Sequence, residues 1–151
     1  MEEKRMITGV LVTKEKAKVV TIPDELESYY KLLGCHTIEF AARAVFTGNI
    51  DEDKDKTLFN IVCDEEGLLQ SDPIISAVNI NGEAELVGNL FVTGPTNEDG
   101  EISSLNEEEQ NRVLRACRRI PTKFHPEGLK MLVLRPLVEE EEAETEEESA
   151  G

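Results

Sequence analysis

The sequence predicts an α+β fold, a single domain over residues 1–138 whose strands are mostly antiparallel. β-rich runs separated by polar turns recur along the chain, and one of these turns, Asn81-Gly82, is among the strongest two-residue hairpin signals. Two amphipathic segments, residues 24–33 and 106–120, have the apolar spacing of helices. Hairpin signals dominate and no internal repeat is visible, so we expect an antiparallel sheet with two main helices.

The N-terminal elements are a hairpin and a helix. Residues 6–12 and 17–22 are β-rich runs on either side of a short polar loop. Pro23 suits the first position of a helix, and Gly34 supplies a left-handed cap at its end. Between them, four apolar residues fall on one helical face: Leu26, Tyr29, Tyr30 and Leu33. The pattern predicts a helix over residues 24–33.

The middle of the chain carries mostly strand signals. Residues 36–47 are ambiguous between strand and helix, and we assign a strand because they follow a helix cap directly. Residues 48–57 are expected to be a charged loop, and residues 59–63 a strand ended by the turn at 64–67. A short segment at 72–78 precedes the Asn-Gly turn.

The C-terminal half predicts one strand, one long helix and a last strand. Residues 83–93 are interpreted as one broken strand, with Gly88 as a bulge or a close approach. Ser104 and Glu107 have the spacing of a capping box, which predicts a helix over residues 106–120. This helix is expected to bury Val113, Leu114, Cys117 and Ile120, and residues 130–134 form the last strand.

Charge is unevenly distributed along the chain. The 151 residues include 32 acidic and 16 basic ones, for a net charge of −16. Residues 139–151 hold eight glutamates and no basic residue, so half of the excess lies in an acidic tail that we expect to be disordered. A chain with pI near 4.5 is a poor general binder of nucleic acid or of anionic lipid.

Composition also indicates the cellular compartment in which the protein acts. No apolar run approaches the roughly 18 residues that span a bilayer, and the charged N-terminus lacks the pattern of a secretory signal. Three widely spaced cysteines (Cys35, Cys63 and Cys117) form neither a disulfide framework nor a zinc ribbon. We therefore expect a reduced, cytoplasmic protein.

The order of several segments resembles a known family. The segments are Asp24-Glu25-Leu26-Glu27-Ser28, Leu33-Gly34, Ile38-Glu39, Cys63-Asp64-Glu65-Glu66-Gly67-Leu68, Asn81-Gly82-Glu83, Gly88-Asn89-Leu90-Phe91-Val92-Thr93-Gly94 and the helix start near Ser104. Over about residues 17–118 the chain resembles the phage, plasmid and conjugative-element family catalogued as domain of unknown function 3846. The charged stretch 48–57 is not typical of that family. The resemblance brings no catalytic residue and no cofactor, but it implies an accessory protein of a phage or mobile element in a bacterial cytoplasm.

Candidate catalytic and metal-binding patterns are weak. Asp51, Asp53 and Asp55 alternate as in the start of a calcium loop, but Lys56 and Val62 occupy the positions that need glycine and glutamate. We therefore interpret this stretch as a solvated loop. No phosphate-binding or dinucleotide-binding glycine pattern is present.

The histidines and cysteines are too scattered to predict a site. Cys35 and His36 are adjacent, so in a strand they point to opposite faces and cannot act together. His125 is the only other histidine. We expect no catalytic residue, no metal and no cofactor.

One basic cluster stands out from the acidic background: Arg112, Arg115, Arg118, Arg119, Lys123 and Lys130. On the predicted helix Arg112, Arg115 and Arg119 share one face, and with Lys123 they are the candidate binding residues for an anion or an acidic partner. The alternative is that they pair with nearby glutamates. A further hypothesis is that the glutamates of residues 139–148 cover this basic cluster, either by folding back within the chain or by reaching a neighbouring copy.

Three function classes remain open. The first is a non-enzymatic binding protein whose partner is a host protein, a small ligand or a second copy, with antagonism of a host defence system as one candidate role. The second is nucleotide or nucleic-acid binding through Arg112–Lys130. The third is an enzyme of unrecognised type.

Overall fold

The computed structural model describes residues 5–67 and 74–135. The predicted acidic tail, residues 139–151, lies outside the described residues. The strands in chain order are β1 (Met6–Val12), β2 (Ala17–Pro23), β3 (Ile38–Arg43), β4 (Phe59–Asp64), β5 (Ile75–Asn79), β6 (Ala84–Val87), β7 (Leu90–Thr93), β8 (Cys117–Ile120) and β9 (Leu129–Leu134). The helices are α1 (Leu26–Leu33), α2 (Ile50–Asp53) and α3 (Glu107–Ala116). The predicted α+β class is confirmed.

The strands form two sheets. The first, sheet A, has the order β2-β1-β7-β4-β3, and all its neighbours are antiparallel. The second, sheet B, has the order β6-β5-β9-β8, and only its β5–β9 pair is parallel. The predicted hairpins β1–β2 and β5–β6 are both present, and the ambiguous stretch 36–47 contains the strand β3.

Helix α1 ends where predicted, but it begins at Leu26 after the cap residue Glu25 and not at residue 24. Pro23 is the last residue of β2, so the prediction that it opens the helix is wrong. Gly34 follows it in the left-handed conformation (φ 68°), as the predicted cap requires. Helix α2 corrects the prediction of a loop over 48–57, because Asn49 caps a single helical turn there.

The second main helix is shorter than predicted. The chain leaves the helix at Cys117, whose backbone is extended (φ −89°, ψ 121°), and residues 117–120 form strand β8 against β9. Pairing with β9 outweighs the helical propensity of this stretch. The capping box also differs, because Asn106 and Glu109 form it. The hydroxyl of Ser104 instead accepts a hydrogen bond of 2.8 Å from the backbone N–H of Thr8.

The predicted broken strand over 83–93 is also wrong. Gly88 has a φ of 79° and separates β6, in sheet B, from β7, which lies in the middle of sheet A. A backbone conformation that only glycine adopts easily therefore carries the chain from one sheet to the other.

The core has three clusters. The central one packs sheet A, sheet B and α3 together, with members such as Ile61, Leu132 and Val113. The second cluster packs α1 on the other face of sheet A. The third covers the outer face of sheet B. Cys63 and Cys117 are buried core residues as predicted, and within the described residues no helix is long and apolar enough to cross a membrane.

Candidate functional site: an outer groove and a set of arginine contacts

The predicted basic face is divided between two elements. Arg112 and Arg115 lie on α3, but Arg119 lies in strand β8, so the prediction that the three share one helical face is wrong. The guanidinium group of Arg119 donates to two backbone carbonyls, that of Gly128 at 3.0 Å and that of Glu15 at 2.7 Å. These hydrogen bonds connect the end of sheet B to the β1–β2 turn.

Arg112 and Arg115 both face the acidic residues around α2. Arg112 is only 7% exposed, and its Nη1 lies 3.2 Å from Oδ2 of Asp55. Arg115 donates through Nε to Oε1 of Glu52 at 3.0 Å. Hydrogen bonding to Arg115 holds the pKa of Glu52 below its usual value. Each of these two arginines thus has a carboxylate partner within the chain, and their role in binding an external anion stays a prediction.

The segment that pairs with these arginines is built around a buried carboxylate. Asp53 is 7% exposed, and its Oδ1 accepts from the backbone N–H of Thr47 at 2.9 Å and from the Thr47 hydroxyl at 3.1 Å. Its Oδ2 accepts from the backbone N–H of Gly48 at 2.9 Å. The side chain of Asn49 accepts from the N–H groups of Asp51 and Glu52. Asp53 therefore has a structural role, and residues 47–57 form an acidic loop around its buried carboxylate.

A groove of about 450 Å³ lies on the outer face of sheet B. In β9, Met131 and Val133 point to this face, because the alternate residues Leu132 and Leu134 belong to the central core. The rest of the groove is lined largely by apolar side chains: Phe46, Ile75, Val78, Ile80, Ile120 and Pro121. A concave, mostly apolar surface with a few polar groups is the usual form of a binding site.

Arg118 connects the groove to the acidic loop. It pairs with Met131 across the β8–β9 ladder, and its side chain lines the groove. Its Nη2 donates to the backbone carbonyl of Thr47. A Cβ at Gly48 would lie 2.7 Å from that nitrogen, so only glycine leaves room for the contact. Arg118 therefore places a positive charge in the wall of an apolar groove.

Lys123 lies beside this groove. It follows the groove residue Thr122 in the loop between β8 and β9, where it is exposed. Its Nζ is 5.9 Å from the centroid of the Phe124 ring, which is itself 83% exposed. One end of the groove thus has a basic and aromatic rim.

A smaller cavity of about 180 Å³ lies between β4 and β6. Four acidic residues (Glu39, Asp64, Glu65 and Glu85) line it, together with Cys63. Burial, with a smaller contribution from the negative charge of Glu39, raises the pKa of the Cys63 thiol to about 12. The thiol is therefore protonated at neutral pH and is not an activated nucleophile.

Cys35 and His36 lie before β3 and not in a strand, so the strand argument for their separation is wrong, but their side chains do differ in exposure. Cys35 is buried in the α1 cluster, whereas His36 is exposed. Burial is also the main cause of the raised pKa of Cys35. Within residues 5–67 and 74–135, no group of three or more His, Cys, Asp or Glu side chains could hold a metal ion.

Comparison with known families identifies the fold unit. The model of the family described as a domain of unknown function, DUF3846, matches residues 7–118, about three quarters of the chain. The chain belongs to this family. No curated protein and no solved structure matches the chain.

The DUF3846 match extends the predicted resemblance at its N-terminal side, because it includes β1. It ends at residue 118, inside β8, so β9 lies outside it. Strand β9 nevertheless pairs with both β5 and β8. The matched residues therefore supply seven of the twelve groove residues, and the other five come from the chain beyond the match: Ile120, Pro121, Thr122, Met131 and Val133.

The groove was missed at the level of sequence because β8 was interpreted as the end of a helix. If residues 117–120 are a strand, strict alternation puts Arg118 and Ile120 on the face opposite Cys117. A usable signal exists in β9, whose sequence Leu129-Lys130-Met131-Leu132-Val133-Leu134 is apolar on both faces. Such runs are typical of strands that are covered on both sides.

Proposed function

We propose that this DUF3846 protein is a non-enzymatic binding protein and that the outer groove of sheet B is its binding surface. The observation that carries the proposal is the apolar groove of about 450 Å³ with the guanidinium group of Arg118 in its wall. The chemistry of the described cysteines supports the same class, since burial raises the pKa of each of the three thiols.

The groove favours an extended protein segment with apolar side chains followed by carboxylates. Met131, Val133 and Val78 are buried at the base of the groove. The apolar surface that two or three aliphatic side chains could cover belongs to the half-buried Phe46, Ile75 and Ile120 and to the exposed Ile80. Arg118 and Lys123 provide positive charge at the wall and at one end. Complementary charges at the edge of an apolar surface set the orientation and the partner preference of a bound segment.

A labelled peptide tests this proposal directly. We expect a fluorescein-labelled octapeptide with three aliphatic residues followed by five acidic ones to bind the full chain, as measured by fluorescence anisotropy. Replacing its acidic residues with lysine should weaken binding, because the lysines would face Arg118 and Lys123.

Two matched variants locate the binding surface. Ile80, on the groove, is 44% exposed, and Val19, on the edge strand of sheet A, is 42% exposed. We expect Ile80→Asp to weaken peptide binding at least ~10-fold, since it places a carboxylate against the apolar segment. Val19→Asp should leave the affinity unchanged. Absence of peptide binding, or an equal loss in both variants, would contradict the proposal.

The cellular setting is part of the same proposal. We infer from the family resemblance that the protein is an accessory protein of a phage or mobile element, acts in the bacterial cytoplasm, and antagonises a host defence system by binding one of its proteins. The test is the plating efficiency of a phage on bacteria that carry a restriction system and express the chain. Plating should rise with the parent chain and not with Ile80→Asp; equal plating with and without the chain would exclude antagonism of that system.

Nucleotide or nucleic-acid binding through Arg112–Lys130 remains the alternative. Arg112 and Arg115 have carboxylate partners, so this function would rest mainly on Arg118, Arg119 and Lys123. Binding of single-stranded DNA or ATP that falls steeply with salt and is lost in Lys123→Glu would favour it.

A further inference from the structure

We propose that the C-terminal segment of this chain, residues 136–142, occupies the outer groove and competes with the external partner. This inference rests on the proposed function, because it assigns the regulation of the same surface. The segment has the sequence Pro136-Leu137-Val138 followed by four glutamates, which is the apolar-then-acidic order that the groove favours.

Strand β9 ends beside the groove, so this segment begins there. Strand β9 ends at Leu134, and the backbone N–H of Arg135 donates to the carbonyl of Ala44 at 2.9 Å. One residue earlier on β9, the carbonyl of Val133 accepts from the N–H of Phe46, also at 2.9 Å. Both Val133 and Phe46 line the groove. The chain therefore leaves the fold within two residues of the groove wall.

The length of the segment matches the length of the groove. The groove follows β9 from Val133 back to the level of Ile120, which pairs with Leu129. The five residues from Leu129 to Val133 cover roughly 16 Å of strand. A segment of similar length that turns back after Arg135 would place Leu137 and Val138 over the apolar surface of the groove.

The charges of the segment complement those of the groove if the segment runs back along β9. The first glutamate, Glu139, comes four residues after Arg135. Arg118 pairs with Met131, and its guanidinium group reaches back to the carbonyl of Thr47, whereas Lys123 lies at the far end of the groove, just beyond Thr122. An apolar start followed by carboxylates therefore meets first the apolar surface and then the basic end of the groove.

The methionines of the chain provide a local probe for this contact. The chain contains Met1, Met6 and Met131, and of the two methionines in the described residues Met131 lines the groove. Met6 lies on sheet A and is 49% exposed, so its ¹³C-methyl resonance is an internal control. We expect Leu137→Asp to shift the Met131 methyl resonance and to leave that of Met6 in place. The matched variant Ala143→Asp, which adds the same charge beyond the docked residues, should shift neither.

Peptide affinity provides the second readout. If the segment fills the groove nine-tenths of the time, only a tenth of the molecules are open, and Leu137→Asp should tighten binding of the acidic octapeptide about 10-fold. Ala143→Asp should leave the affinity at the parent value.

The outcomes separate this inference from the proposed function. An unchanged Met131 resonance and an unchanged peptide affinity in Leu137→Asp would overturn the docking, while peptide binding at Met131 would still support the proposed function. A shift of Met131 in Leu137→Asp without peptide binding to any variant would support the docking and overturn the external partner. A Met131 shift that depends on protein concentration would assign the groove to a second copy and overturn docking within one chain.

Discussion

Replacing Asp53 with asparagine should destabilise the protein markedly, although the side chain changes by only one atom. In the native structure one carboxylate oxygen accepts two hydrogen bonds from Thr47, and the other accepts one from the N–H of Gly48. The amide of asparagine can present an oxygen to only one of these sites. Its NH₂ group must then face a donor, whichever way it is turned.

The magnitude follows from these contacts. Hydrogen bonds to a charged group contribute about 1.5 to 3 kcal/mol, and a donor left without a partner costs about 1 to 3 kcal/mol. In the better orientation Asp53→Asn keeps the two bonds from Thr47 and loses the one from Gly48. We therefore expect a loss of about 2 to 4 kcal/mol in the free energy of unfolding.

Urea unfolding followed by circular dichroism measures this loss, with Asp51→Asn as the control. Asp51 belongs to the same helical turn, but its side chain is 93% exposed and pairs only with Lys54 across 3.6 Å. Its replacement should change the free energy of unfolding by less than ~0.5 kcal/mol. A loss below ~1 kcal/mol for Asp53→Asn, or equal losses in the two variants, would refute the structural role of the buried carboxylate.

Three further outcomes are expected. Gly9→Ala should lower the free energy of unfolding in urea by about 3 kcal/mol or more, because the added Cβ would lie 2.3 Å from a backbone oxygen of β7. Gly100 has open space around it but a φ of 80°, so Gly100→Ala should lower the free energy of unfolding by only about 1 to 2 kcal/mol. The pKa of Cys63 is raised to about 12 in the fold, so above pH 9 the unfolded chain binds fewer protons than the folded one. The free energy of unfolding should therefore fall between about pH 9 and 12. Cys63→Ala should reduce the slope of Tm against pH in this range. The pKa of Glu52 is lowered, so its contribution is present above pH 4.5 and is lost as the pH falls further; the stability difference between the parent and Arg115→Gln should shrink over the same range.

The sequence predicted the elements that depend on local signals. The β1–β2 hairpin and helix α1 were predicted because turn residues, the helical spacing of apolar residues and the cap at Gly34 all act within a few positions. Strand β8 was not predicted, because its extended backbone depends on pairing with β9, and nothing within residues 117–120 signals that pairing. The same tertiary pairing decides which side chains face the groove.

The arginines illustrate the same limit for the candidate site. Their clustering was visible in the sequence, and one interpretation was that they pair with nearby glutamates. The observed partners are distant in the chain, since Arg115 binds Glu52 and Arg112 binds Asp55. Such contacts depend on how α3 packs against the acidic loop.

The position of β9 has a consequence for the synthesis of the protein on the ribosome. All five strands of sheet A have been translated once residue 93 has been added, because β7 completes that sheet. Sheet B has no such early completion: β5 and β6 must wait for β9, which joins them to β8. During that interval the edge of β5 that pairs with β9 has no partner strand. Exposed strand edges promote aggregation of nascent chains. The addition of β9 is therefore the step that allows sheet B to form.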